Sequence, residues 1–86
     1  MTTNPTSEPA PAVTLDTSGL LCPLPVYKAA LALKGIEPGQ ILELICTDPG
    51  SLADIPAMAH QRGDRLVRTE DRDTTQVFWI EKGTTT

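Results

Sequence analysis

The chain has 86 residues, a formal net charge of −4 and only seven basic side chains, and these properties exclude several classes of protein. A chain of this length forms one small domain, and without a clustered basic face it is not expected to bind nucleic acid or an acidic membrane surface. It has no apolar run of membrane-spanning length and no N-terminal secretory signal pattern. Two cysteines are too few for a disulfide scaffold, so we expect a cytoplasmic protein.

Both ends of the chain lack hydrophobic periodicity. Residues 1–12 are rich in Thr, Pro and Ser, which predicts a disordered N-terminal tail, and residues 84–86 are expected to fray in the same way. The folded domain is therefore predicted to span residues 13–83.

The hydrophobic pattern between the tails predicts the order strand, helix, strand, helix, strand, strand. Alternation indicates a strand over residues 13–17, an apolar stripe indicates a helix over residues 26–34, and residues 41–47 form the clearest strand. Two further strands, over residues 65–70 and 76–82, are joined by a polar turn, which favours a closing hairpin. We expect the side chains of Leu42, Leu44, Cys46, Phe78 and Ile80 to face the core.

The second helix ends before Gly63, but its start has two interpretations. If Ser51 caps the helix, Pro56 lies past the first turn and removes a hydrogen bond, whereas if Asp54 is the cap, Pro56 is tolerated near the start. The sequence leaves both open.

These elements predict the fold class. Strand-helix-strand units favour parallel pairing and the hairpin adds antiparallel pairing, so we expect an α/β (α+β) two-layer sandwich of order βαβαββ. In it, two helices pack on one face of a mixed four-stranded sheet. Trp79 would point to the other face, where it is either a contact surface or packed, by a neighbouring strand residue or through a shifted register.

The most informative motif is the tetrapeptide Cys22-Pro23-Leu24-Pro25 directly before the first helix. A residue before proline is disfavoured in the helical region, so we expect Cys22 to be the N-cap and Pro23 the first helical residue. The helix N-terminus favours an anion, which predicts a lowered pKa for the Cys22 thiol. The two prolines stiffen the turn.

Cys22 is interpreted as a reactive thiol, against the alternative of an ordinary buried cysteine. The motif has no second cysteine in a C-x-x-C spacing, so Cys22 acts alone or pairs with Cys46. Since Cys46 faces inward in the predicted strand, we expect it to be a buried filler with a raised pKa. His60, the only histidine, cannot form a metal site with two distant cysteines, and no cofactor is required.

Several short segments together resemble the TusA/SirA-like family of small sulfur-carrier proteins, over residues 14 to about 83. The resemblance rests on Leu15-Asp16, Gly19-Leu20, Cys22-Pro23-Leu24-Pro25, Pro38-Gly39, Asp48-Pro49 and Asp54-Ile55. It implies the same βαβαββ sandwich, with Cys22 accepting sulfane sulfur as a persulfide and passing it to a partner protein. Gly19, Pro23, Leu24, Pro25 and Asp54 are then candidate residues that shape the site, although for Asp54 helix capping is the favoured role.

The resemblance also implies partners: a sulfur donor of the cysteine desulfurase or rhodanese type, and an acceptor protein in tRNA thiolation, cofactor biosynthesis or sulfur oxidation. Such a carrier relays sulfur stoichiometrically and does not turn over independently. Ser18 stands where many members have a basic residue, and Thr47-Asp48 where some have two acidic residues, which leaves the partner open. Two other hypotheses are a thiol redox switch that uses Cys22 and Cys46, and a regulatory interaction module without catalysis.

Overall fold

A computed structural model describes residues 10–84, which form four strands and two helices. The elements are β1 (Val13–Thr17), α1 (Leu24–Lys34), β2 (Ile41–Cys46), α2 (Ser51–Arg62), β3 (Arg65–Arg72) and β4 (Thr75–Glu81). Their order is the one that the hydrophobic pattern predicts. In the described part of the chain no helix is both long and apolar enough to cross a membrane.

The four strands form one mixed sheet in the order β1-β2-β4-β3. β1 and β2 are parallel, with Val13 opposite Leu42 and Thr17 opposite Cys46. β4 is antiparallel to both β2 and β3. The two helices cover one face of this sheet, so the predicted two-layer sandwich is confirmed.

The core lies between the helices and the sheet. Leu42, Leu44 and Cys46 of β2 are fully buried, as are Phe78 and Ile80 of β4, which confirms the predicted inward faces of both strands. The helices contribute Ala29, Leu33 and Ile55 to the same cluster. These side chains hold the two helices in a fixed position over the sheet, because a close-packed interior tolerates little displacement.

Helix α1 begins at Leu24, two residues before the apolar stripe predicts and one residue after the start that the Cys22-Pro23 motif predicts. Pro23 is the N-cap, Leu24 is the first helical residue and Pro25 the second, so the expectation that Cys22 caps the helix is wrong. The Cys22–Pro23 peptide bond is cis, and the Leu24 N–H donates to the carbonyl of Leu21 at 2.9 Å. Cys22 therefore lies one residue before the N-cap and two before the first helical residue.

Helix α2 begins at Ser51, with Gly50 as its N-cap, and this resolves the two interpretations of its start. Neither Ser51 nor Asp54 makes a capping hydrogen bond, and Pro56 lies inside the helix. The Asp54 side chain lies in the first turn of α2 and is not engaged in capping that helix. The helix ends at Arg62, and its C-cap Gly63 has a φ of 82°, a left-handed conformation that favours glycine.

The closing hairpin is longer than predicted, because β3 continues to Arg72 and the turn shrinks to two residues, with φ +66° at Asp73. A register shift interrupts the β3–β4 pairing between Leu66 and Arg68. On the sheet face away from the helices, the Arg68 guanidinium lies 4.9 Å from the centre of the half-buried Trp79 ring. Of the two interpretations of Trp79, the structure therefore supports packing by a neighbouring strand residue.

The predicted N-terminal tail lies mostly outside the described residues, as do residues 85 and 86 of the predicted C-terminal one. At the inner end of the N-terminal segment, the Ala12 N–H donates to the Ile41 carbonyl at 2.8 Å. The backbone therefore pairs with β2 one residue before β1 starts.

Candidate functional site

The site forms where the carboxyl ends of β1 and β2 meet. Because these strands are parallel, the loops that lead into α1 and α2 leave the sheet at the same edge. Gly19 turns the first loop with a φ of +84°, and its N–H donates to the Thr47 hydroxyl at 2.8 Å. This hydrogen bond joins the two loops.

Asp48 makes a second connection between the loops. Its Oδ2 accepts the Cys22 N–H at 2.8 Å, and its Oδ1 accepts the Gly50 N–H at 3.1 Å. These two bonds, the one from Cys22 first, lower the pKa of the Asp48 carboxyl. In the sequence, Asp48 contributes only to the resemblance to the family and has no predicted role at the site. The available signal was its place before Pro49-Gly50, where an aspartate side chain commonly accepts backbone N–H groups.

The Cys22 thiol is exposed and points toward α2. Its S–H donates to Oδ2 of Asp54, with a distance of 2.7 Å between Sγ and Oδ2. The favoured expectation that Asp54 caps a helix is therefore wrong, because its carboxylate is directed at the sulfur and not at the start of its own helix.

The predicted shift in the pKa of Cys22 has the opposite sign in the structure. The hydrogen bond to Asp54 raises the pKa of the thiol, and desolvation and the charges of Asp54 and Asp48 act in the same direction. The prediction counted the helix N-terminus alone. Asp48 in the loop after β2 and Asp54 in α2 carry negative charges that disfavour a thiolate on Cys22 and so raise the pKa of the thiol.

An open groove of about 340 Å³ runs from the sulfur between the two helices. Its lining is mostly apolar and is made of Cys22, Pro23 and Val26 on one side and Asp54, Ala57, Met58 and Gln61 on the other. The groove gives an atom attached to Cys22 room outside the protein core.

The remaining motif residues have distinct positions. Pro25 is buried under the start of α1, while Leu24 is exposed. Leu24, Tyr27 and Leu31 follow one another at helical spacing and form an exposed apolar row, here called the α1 stripe, with exposed fractions of 45%, 62% and 66%. Leu21, the residue before Cys22, is also exposed. These side chains leave apolar surface exposed to solvent at the start of α1.

Cys46 is separate from this site. It is fully buried in the core, where the Thr17 hydroxyl lies 3.5 Å from its sulfur, and both cysteines are free thiols. The predicted burial is confirmed. Within residues 10–84, no group of three or more His, Cys, Asp or Glu side chains is placed to hold a metal ion.

Comparison with known proteins places this geometry in a family. The family described as "Sulfurtransferase TusA" matches residues 13–82. The chain is 43% identical to the sulfur carrier protein TusA of Allochromatium vinosum over 68 residues, which are 79% of this chain and 90% of that protein. It is 39% identical to the putative sulfur carrier protein YrkI of Bacillus subtilis over 69 residues, covering 80% of this chain and 92% of that one.

A solved structure has a similar fold. The crystal structure of a SirA-like protein from Desulfitobacterium hafniense superposes with a TM-score of 0.72 at 26% identity, over 83% of this chain and 97% of that chain. The family match covers nearly all of the described residues and includes Cys22, its loop and the facing turn of α2. The chain belongs to the TusA family.

Proposed function

We propose that the protein is a cytoplasmic sulfur carrier that holds sulfane sulfur as a persulfide on Cys22 and relays it between proteins. The observation that carries the proposal is an exposed, free thiol at the mouth of an open groove, in a chain of the TusA family. Relatives of this chain are named sulfur carrier proteins. Free cysteines suit a reducing compartment.

The relay consists of two displacements at sulfur. In loading, the Cys22 thiolate attacks the outer sulfur of a donor protein's persulfide, so that a new S–S bond forms on Cys22, the donor's S–S bond breaks and the donor leaves as a thiolate. In delivery, an acceptor thiolate attacks the outer sulfur on Cys22. The Cys22 sulfur then leaves as a thiolate and takes up a proton, so no net oxidation occurs.

The two steps need two docking events, which the surface around Cys22 supports. The α1 stripe and Leu21 offer apolar surface beside an accessible sulfur. We propose that the donor is a cysteine desulfurase or a rhodanese-type protein, and that the acceptor serves tRNA thiolation, cofactor biosynthesis or sulfur oxidation. Cys22 returns to its free form only when an acceptor protein removes the sulfur. The relay is therefore stoichiometric.

Mass spectrometry after incubation with a donor tests the proposal. With a cysteine desulfurase plus cysteine, or a rhodanese plus thiosulfate, we expect the mass of one sulfur atom on the peptide that contains Cys22. Cys22→Ser abolishes the adduct, while Cys46→Ser, the matched control, retains it because Cys46 is buried away from the groove. A folded wild-type protein that gains no sulfur from either class of donor contradicts the proposal.

A further inference from the structure

The Asp54 carboxylate is placed to act on Cys22 differently before and after the sulfur is loaded. In the empty form the thiol donates its proton to Asp54 Oδ2 at a Sγ–Oδ2 distance of 2.7 Å. This contact joins residues 32 positions apart, from the loop before α1 and the first turn of α2. It is therefore a product of the packing of the two helices and not of local chain geometry.

The charges that act on the sulfur are negative. Asp54 faces it from α2, and Asp48 holds the Cys22 backbone from the loop after β2. Among residues 10–84, neither carboxylate forms an ion pair with a lysine or arginine. The charge of Asp54 is thus not neutralised by a partner side chain, and it stays directed at Cys22.

The two forms of the carrier respond to this carboxylate in opposite ways. The empty thiol has a proton to donate, so Asp54 stabilises it by a hydrogen bond to a charged acceptor. A persulfide is more acidic than a thiol and is an anion at neutral pH. It has no proton to donate, and its negative charge lies beside a negative carboxylate in a mostly apolar groove.

We propose that the charge of Asp54 weakens the hold of Cys22 on sulfane sulfur and so makes the carrier a ready donor. The inference rests on the proposed carrier function and concerns the balance of one exchange. Persulfide anion on Cys22 plus an acceptor thiol gives the Cys22 thiol plus the acceptor's persulfide anion, with one S–S bond broken, one formed and one proton moved to Cys22. Asp54 stabilises the side with the free Cys22 thiol.

A structural role for Asp54 alone does not account for its position. Gly50 is the N-cap of α2 and makes no use of the Asp54 side chain. The carboxylate also lines the groove into which a second sulfur atom extends from Cys22. Removing the Asp54 carboxylate therefore changes the contact with the Cys22 thiol more than any other feature of the structure.

The test is an equilibrium measurement with glutathione persulfide and glutathione at neutral pH, read as the loaded fraction of Cys22 by intact-protein mass. Asp54→Asn keeps the shape but removes the charge, and we expect the loading constant to rise about tenfold, the equivalent of one pKa unit. Asp54→Glu restores the charge and returns the constant toward the wild-type value. Glu37→Gln removes one charge from an exposed residue before β2, at the opposite end of the sheet, and leaves the constant unchanged.

The outcomes separate the two proposals. If wild-type protein loads on Cys22 and Asp54→Asn loads equally, the role of Asp54 is overturned while the carrier function stands. If Asp54→Asn loads less than the wild type, the role is also overturned, because its sign is wrong. If wild-type protein loads from no donor at all, the carrier function fails and the role of Asp54 fails with it.

Discussion

Carboxylates on two sides of the molecule have different partners. Near the outer strand β3 they bind its arginines: Arg65 binds Glu81 of β4 at 3.1 Å, and Arg68 and Arg72 both bind Glu70. Beside Cys22, Asp48 and Asp54 instead receive a backbone N–H and a thiol. A carboxylate neutralised by an arginine changes little around it, whereas the two near Cys22 act on the chemistry of the sulfur.

The largest expected effect follows from removing one charge beside the sulfur. Because the carboxylate of Asp54 raises the pKa of Cys22 above its ordinary value of 9.0, the thiolate is scarce at neutral pH and its fraction increases as the pH rises. Asp54→Asn shifts the pH profile of Cys22 alkylation by iodoacetamide toward lower pH. At neutral pH the rate rises about tenfold for each unit by which the pKa falls.

Glu37→Gln is the matched control for this measurement, since it removes one charge far from the sulfur. It should leave the alkylation profile where it is. Equal profiles for Asp54→Asn and the wild type would show that the two sides of the molecule do not differ in the way described.

A smaller effect is expected from the backbone of the Cys22 loop. Gly19 has a φ of +84°, and an added Cβ would meet no atom within 4 Å, so Gly19→Ala costs only the left-handed conformation, about 1–2 kcal/mol. Gly35→Ala is the control, because Gly35 has a φ of −89° and an added Cβ only comes into ordinary contact at 3.5 Å. Urea unfolding measures both, and equal losses of stability would contradict the assignment.

The smallest effect is expected on β3. The hydrogen bond from Arg72, with the charges of Arg68 and Arg72, lowers the pKa of Glu70 below its ordinary value of 4.5. A lowered carboxyl pKa adds stability above its ordinary range, and that stability is lost as the pH falls through the folded-state value. Glu70→Gln should therefore lower the urea midpoint slightly at neutral pH and make it less sensitive to acid, with Cys22 alkylation unchanged.

A faster alkylation of Cys22 in Glu70→Gln would contradict the separation of the two regions. A large drop in the midpoint at neutral pH would equally be inconsistent with exposed ion pairs of the usual strength.

The fold follows from patterns within single elements, and for that reason the sequence predicts it well. Alternation in β2 and β4 assigns Leu42, Leu44, Phe78 and Ile80 to the core, and the order of elements gives the parallel and antiparallel pairings. The boundaries of the helices and strands are harder to predict from the sequence. The choice between Ser51 and Asp54 as the start of α2 depends on Gly50, which caps the helix with its backbone alone.

The site is harder to predict because its central contact links distant residues. Local rules for helix starts gave Cys22 the role of an N-cap with a lowered pKa, and Asp54 the role of a cap. The hydrogen bond between them spans 32 positions and exists because α1 and α2 begin at the same edge of the sheet. A rule based on one helix start includes the dipole of that helix but omits a carboxylate from the other helix.

The shift in register between Leu66 and Arg68 has a consequence for self-association. β3 is an outer strand, and a regular outer strand offers unpaired backbone groups to any other polypeptide that adds to the sheet. Here the irregular pairing and the arginines along the strand disfavour such β-addition and the aggregation that it causes. A carrier that must be released after every encounter gains from an outer strand that resists permanent attachment.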